Sequence, residues 1–150
     1  MCGVCCLKMI GDSVGKTQNI SLFDLVKISL DRGVFRINKE GNIEGAFHYP
    51  LRDLLREMHI PATVESKLTT QKIKKKLQAG KIIILSVDLT KSHFITSPES
   101  HLITVYDYDA LGDTYTIHDS SSVIAENGNA IKIHSAYLNE LSNSRGLSVG

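Results

Sequence analysis

Apolar and polar positions follow two different periods along the chain. In the first half, apolar residues recur at the three- and four-residue spacing of one helix face, as in Leu51, Leu54, Leu55 and Met58. Four such segments predict helices, which begin near residues 2, 21, 51 and 70 and end before Gly11, Gly33, Pro61 and Gly80. Ser21 and Asp24 form a capping box at the start of the second helix, and Thr69 or Thr70 is the expected cap of the fourth. After residue 81 the apolar positions become continuous or alternate, which is typical of strands.

The second half of the sequence predicts an antiparallel sheet. Residues 82–87 form an apolar run that predicts a central strand buried on both faces, and residues 101–109 with 114–119 predict a hairpin. A short strand at 63–64, a helix at 136–141 and a terminal strand at 147–149 complete the pattern. Helices come first and the sheet second, which predicts an α+β domain in two layers, with N-terminal helices packed on a C-terminal antiparallel sheet.

Length and composition favour one globular domain over residues 1–150. Hydrophobic residues make up 42% of the chain and charged residues 22%, which excludes a disordered or fibrous chain. The 17 basic and 16 acidic residues nearly cancel, so the charge gives no reason to expect a nucleic acid as partner. No apolar stretch approaches the ~20 residues that span a bilayer, and we expect no membrane segment.

The only three cysteines are Cys2, Cys5 and Cys6. Because they are adjacent, they cannot link distant loops by disulfides, and we expect reduced thiols in a reducing compartment such as the bacterial cytoplasm. Structural zinc sites take four ligands, usually as two separated pairs, and none of the six histidines has the short spacing that would complete such a site. We therefore expect no metal and no cofactor.

Two chemical roles remain open for the cysteines. Cys2-Gly3-Val4-Cys5 is a C-x-x-C at a helix start, which is compatible with a thiol-disulfide oxidoreductase, although no strand precedes it as in thioredoxins. Cys6 is expected in the core, and Cys5 stays undecided. Cys2 is the candidate nucleophile, because a helix N-terminus stabilises a thiolate.

A cysteine nucleophile needs a base and a group that orients the base, and the predicted hairpin supplies both. If residues 110–112 form a three-residue turn, Asp109 pairs with Asp113, and this register brings Asp119 diagonal to His101 on one face. Diagonal Cβ atoms are about 7–8 Å apart, which an imidazole and a carboxylate can bridge. A two- or four-residue loop would turn Asp119 away.

Three stretches, C-G-V-C-C-L-K-M-I, S-H-L-I-T-V-Y-D-Y-D and Y-T-I-H-D-S-S-S, occur in this order. They resemble the papain-like cysteine peptidases of the bacteriocin-processing, double-glycine-leader family and their stand-alone relatives. The resemblance implies a papain-like fold and hydrolysis of a peptide or protein substrate, with processing of a leader peptide as one expected role. It also implies Cys2 as nucleophile, Cys6 as the second motif cysteine, His101 as base and Asp119 as the orienting acid.

The sequence departs from that family at its start. The family carries a glutamine a few residues before the nucleophile, whose amide helps to form the oxyanion hole, whereas only Met1 precedes Cys2 here. We therefore expect that the native N-terminal segment is missing from these 150 residues. Without the glutamine, the oxyanion would depend largely on the Cys2 backbone N–H. A non-catalytic peptide-binding relative is the alternative function.

Overall fold

The computed structural model describes all 150 residues. The helices are α1 (Cys2–Ser13), α2 (Leu22–Asp31), α3 (His48–Glu57), α4 (Thr70–Gln78) and α5 (Ser135–Leu141). The strands are β1 (Arg36–Ile37), β2 (Ile43–Glu44), β3 (Ala62–Glu65), β4 (Ile82–Asp88), β5 (Ser100–Asp109), β6 (Thr114–His118), β7 (Ile131–His134) and β8 (Ser142–Val149). None of the helices combines the length and the apolar character that crossing a bilayer requires.

One antiparallel sheet organises the chain, with strand order β3-β8-β4-β5-β6-β7. Its central strand β4 is buried along most of its length, as the apolar run predicts, and its two faces belong to different clusters of core side chains. Helices α1, α2 and α3 pack on the face that includes Ile84, and α4 and α5 pack on the face that includes Ile83 and Leu85. The α+β class is confirmed, but the helices cover both faces, because a strand that is apolar on both sides needs a partner layer on each.

Side-chain caps fix where two of the helices begin. Ser21 accepts a hydrogen bond from the Asp24 N–H at 3.0 Å, and Thr69 accepts one from the Lys72 N–H at 3.2 Å. Both positions agree with the capping pattern in the sequence. α1 runs past Gly11 to Ser13, although the sequence predicts its end before Gly11. Glycine at this position makes room for the Thr17 side chain, since a Cβ there would lie 2.4 Å from it.

The predicted three-residue turn between β5 and β6 is wrong. Asp109 pairs with Thr114, which leaves a four-residue loop, and the residue with positive φ is Asp113 (48°) rather than Gly112. A loop of this length in a regular hairpin would turn Asp119 to the opposite face of the sheet.

A β-bulge at Tyr106 compensates for the longer loop. One extra residue on β5 shifts the register, so that Thr104 pairs with His118 beyond the bulge. Continued by one residue, this register places Asp119 where the three-residue turn would have placed it. The contact between Asp119 and His101 therefore forms through a different local geometry from the predicted one.

At Gly146 of β8 the neighbouring strand β4 leaves no room for a side chain. Gly146 pairs with Leu85, and a Cβ at this position would lie 2.0 Å from the carbonyl oxygen of Ile84. Only glycine fits there without moving one of the two strands.

We expect Gly146→Ala to lower the free energy of unfolding by about 3 kcal/mol, because backbone must move to admit the methyl group. Urea denaturation followed by circular dichroism measures the change. Gly112→Ala is the matched control: its added Cβ meets nothing closer than 3.5 Å, and less than about 1 kcal/mol should be lost. Equal unfolding midpoints for Gly146→Ala and the unmodified protein would contradict the close approach.

Candidate active site

The N-terminus of α1 presents Cys2 to an open cleft. Cys2 is the first residue of the helix and is half-buried. The N–H groups of Val4 and Cys5 bind the Met1 carbonyl at 3.0 and 3.2 Å, whereas those of Cys2 and Gly3 have no carbonyl one turn earlier. The first turn contains no acidic side chain, so the partial positive charge of the helix end is not neutralised there.

Glycine after the candidate nucleophile has a steric reason. Gly3 is buried, and a Cβ built on it would lie 2.8 Å from the Cβ of Ala46. The missing side chain lets the segment that precedes α3 approach the helix end closely. Cys2 and Ala46 both line the cleft that results.

His101 and Asp119 form a buried hydrogen-bonded pair. Nε2 of His101 lies 2.6 Å from Oδ1 of Asp119, and the two residues are 6% and 1% exposed. His101 stands at the start of β5, and Asp119 directly follows β6. Because Nε2 is occupied by the carboxylate, Nδ1 is the ring nitrogen left to interact with Cys2.

The Asp119 carboxylate is fully paired. Oδ1 also accepts from the Ser121 N–H at 2.9 Å, and Oδ2 accepts from the N–H groups of Val123 and Ile124 at 2.7 and 2.9 Å. Burial alone would raise the pKa of Asp119, but the bond from His101 and the backbone N–H bonds lower it to about 2. The carboxylate is therefore ionised throughout the neutral range.

The loop after β6 is closed by a second tight contact. The Asp119 N–H donates to the Gly128 carbonyl at 2.6 Å. Gly128 has a φ of +59°, and a Cβ there would lie 2.0 Å from the Asp119 carbonyl oxygen. Glycine at this position is thus required for the loop that wraps the carboxylate.

Cys2 and His101 favour a thiolate–imidazolium pair. Burial alone would lower the pKa of His101, yet its hydrogen bonds to Asp119 and Cys2 raise that pKa to about 9. Burial alone would raise the pKa of Cys2, but hydrogen bonding to His101 and at the Leu102 backbone outweighs it, and the pKa falls below its ordinary value of 9.0. Each group stabilises the charged form of the other.

The other cysteines differ from Cys2. Cys6 is 4% exposed, and its Sγ donates to the Leu102 carbonyl at 3.7 Å. Burial raises the pKa of Cys6 to about 12, so it is a core residue, as predicted. Cys5 is half-buried, and all three cysteines are free thiols. No group of three or more His, Cys, Asp or Glu side chains in the chain is arranged to hold a metal ion.

The cleft has a volume of about 1120 Å³ and contains both Cys2 and His101. One wall is the segment from Gly41 to Tyr49, which includes β2 and the start of α3. The opposite side includes Ser86, Ser100, Ser121 and Arg145. Ser100 and Ser121 lie in the motif stretches around His101 and Asp119, whereas Arg145 and the segment from Gly41 to Tyr49 follow no motif and have no signal in the sequence.

Two solved structures have folds similar to that of this chain. A double glycine motif protease from an AMS/PCAT transporter, solved in complex with the leader peptide, is 16% identical, with a TM-score of 0.63 over 99% of this chain and 82% of that chain. A protein described as a C39-like peptidase from Bacillus anthracis is 17% identical, with a TM-score of 0.66 over 99% of this chain and 88% of that chain. At these identities the likeness shows the papain-like peptidase fold.

A search of curated proteins gives no significant match to the sequence. The model of the Peptidase_C39 like family matches residues 1–143, which is nearly the whole chain. The motifs around Cys2, His101 and Asp119 lie within the matched range, and their catalytic roles stay a prediction. The protein therefore belongs to the Peptidase_C39 like family.

Proposed function

We propose that this protein is a cysteine peptidase in which Cys2 is the nucleophile, His101 the general base and acid, and Asp119 the residue that orients His101. The proposal rests on one observation above all. A half-buried thiol at a helix N-terminus lies beside an imidazole whose far nitrogen is 2.6 Å from a fully paired carboxylate. Nucleophilic catalysis by cysteine needs this order of groups.

The proposed reaction is acyl transfer to the Cys2 thiol. The Cys2 thiolate attacks a peptide carbonyl, and the imidazolium of His101 gives its proton to the departing amine. Water then attacks the thioester with His101 as base, which releases the acid and restores the thiolate of Cys2 and the imidazolium of His101. The backbone N–H of Cys2 is the oxyanion donor that the described residues supply, and losing one such donor typically costs ~10²–10³ in rate.

A peptide is the substrate class that the cleft fits best. It is an open cleft, and its lining includes the apolar side chains of Ile43, Phe47 and Tyr49 together with the candidate nucleophile. The leader peptide bound to the structurally similar double glycine motif protease supports this substrate class. Processing of a leader peptide is accordingly the first specific activity to test.

The proposed roles predict unequal cysteine reactivity. Near pH 7, iodoacetamide should alkylate Cys2 about tenfold or more faster than Cys5, because the ion pair with His101 supplies thiolate. His101→Ala should remove this preference and abolish peptide turnover. Alkylation sites and rates are measured by mass spectrometry with peptide fragmentation.

The matched control is His93→Ala. His93 also has a carboxylate partner, Glu140, at 3.0 Å, but the pair is exposed and lies outside the cleft. This variant should keep the fast alkylation of Cys2. Slow and equal alkylation of all three cysteines in the unmodified protein would refute the nucleophile. A Cys2–Cys5 disulfide that reduces protein disulfides would favour the oxidoreductase, and fast alkylation without any peptide turnover would favour a peptide-binding relative.

The pKa shifts predict a pH profile for peptide turnover. The reactive ion pair exists between the lowered pKa of Cys2 and the raised pKa of His101, so the alkaline limb should lie near pH 9, where His101 loses its proton. Asp119→Asn keeps an oxygen acceptor but removes the charge that holds this proton. Its alkaline limb should therefore move down by about one pH unit or more.

Asp113→Asn is the control for the pH profile. Asp113 is half-buried, accepts hydrogen bonds from Ser135 and Tyr108, and lies outside the cleft, so the loss of its charge should leave both limbs in place. An unchanged alkaline limb in Asp119→Asn would show that Asp119 does not set the pKa of His101.

A further inference from the structure

Arg145 is the one arginine of the five in this chain that has no partner. Arg32 binds Glu57, Arg36 lies over the Phe47 ring, Arg52 binds Asp53, and Arg56 donates to the Ala62 carbonyl. The side chain of Arg145 forms neither a hydrogen bond nor an ion pair within the chain. Its guanidinium instead lines the cleft that contains Cys2 and His101.

Arg145 lies in an irregular stretch of β8, between Ser142 and Gly146, that pairs with no residue of β4. Its neighbour Gly146 pairs with Leu85 and lies against the Ile84 carbonyl. On the other side, Ser144 donates from its N–H to Ser142 Oγ at 2.9 Å. Paired residues at both ends of this stretch, Ser142 and Gly146, therefore hold the backbone of Arg145 beside the cleft, although Arg145 itself is unpaired and its side chain is exposed.

The cleft offers Arg145 no internal counter-charge. Its only carboxylate is that of Glu99, which forms no ion pair with Arg145. His48, at the start of α3, is half-buried in the same cleft, and burial together with the charge of Arg145 lowers the pKa of His48. This part of the cleft is therefore electropositive and would be neutralised by an anionic group on a bound peptide.

We infer that Arg145 is a specificity residue that binds a carboxylate of the peptide substrate. A guanidinium can grip a carboxylate with two parallel hydrogen bonds, which adds direction to charge attraction. Since paired residues on both sides hold the backbone of Arg145 beside the cleft, we expect the preference at one position of the peptide, counted from the cleaved bond. The carboxylate belongs either to an Asp or Glu side chain or to the C-terminus of the peptide. This inference rests on the proposed peptidase function for its readout by turnover.

The test compares the protein with Arg145→Gln, Arg145→Glu and Arg32→Gln on a peptide library made by Lys-specific digestion of a bacterial proteome. Mass spectrometry gives the cleaved bonds. For the best-cleaved sequences, synthetic peptides in Glu and Gln forms, and with free or amidated C-termini, give kcat/KM ratios. The charged form should be preferred about fivefold or more, and 1 M NaCl should reduce this preference.

Arg145→Gln should bring the charged-to-neutral ratio to about one, and Arg145→Glu should favour Lys in place of Glu at the same position. Arg32→Gln removes an arginine outside the cleft, at the surface pair with Glu57, and should keep the original ratio. Loss of the preference for Glu over Gln assigns the contact to a side chain, and loss of the preference for acid over amide assigns it to the C-terminus. A ratio that is unchanged in Arg145→Gln overturns the inference.

A binding arm separates this inference from the proposed function. Immobilised Cys2→Ala and Cys2→Ala/Arg145→Gln proteins are incubated with the same library, and the retained peptides are sequenced. Enrichment of acidic peptides by the first protein but not by the second supports the role of Arg145, even when the unmodified protein cleaves nothing. Equal retention of acidic peptides by both proteins overturns it, even when the unmodified protein is an active peptidase.

Discussion

The hydrogen bond between His101 and Asp119 is the interaction on which the site depends. A buried ionised carboxylate costs several kcal/mol unless hydrogen bonds compensate for its lost hydration. Here one imidazole and three backbone N–H groups surround Asp119, and the resulting charge holds a proton on His101. The positive charge of protonated His101 in turn favours the thiolate form of Cys2 at the positive end of α1. Through His101, the carboxylate therefore favours a lower pKa for a thiol that it does not touch.

The fold brings these groups together at one end of a sheet. His101 lies at the start of β5, Asp119 directly follows the paired strand β6, and Cys2 begins a helix packed on the same sheet. Each is held by backbone geometry, including the tight approach of Gly3 to the segment before α3 and of Gly128 to the loop after β6. The cleft is the space left between the helix end and the strands, with Arg145 on a third strand.

Local signals in the sequence predicted the elements that carry the site. Caps at Ser21 and Thr69 and the apolar run of β4 have short-range causes and are found as expected. The prediction of a three-residue hairpin turn was wrong, because the protein has a longer loop and a bulge at Tyr106 that compensate for each other. The predicted and the observed hairpins therefore reach the same final register.

The cleft wall was not predictable in the same way. β1 and β2 are two-residue strands with exposed side chains, and the first half of β8 is polar without alternation, so neither has a periodic pattern. Arg145 differs from the other arginines only in its surroundings, since no acidic side chain in the cleft pairs with it. The lack of an ion-pair partner cannot be read from a sequence, whereas a candidate nucleophile, base and acid can be recognised from their motifs along the chain.

We propose above all that Cys2 and His101 exist as an ion pair, in which Asp119 stabilises the protonated form of His101. The most direct measurement is an NMR titration of the His101 imidazole with isotope-labelled histidine, in the protein and in Cys2→Ala. If the ion pair exists, we expect a pKa of about 9 for His101, and this pKa should fall when the thiolate is removed. A His101 pKa near the ordinary value of 6.5, unchanged in Cys2→Ala, would contradict it.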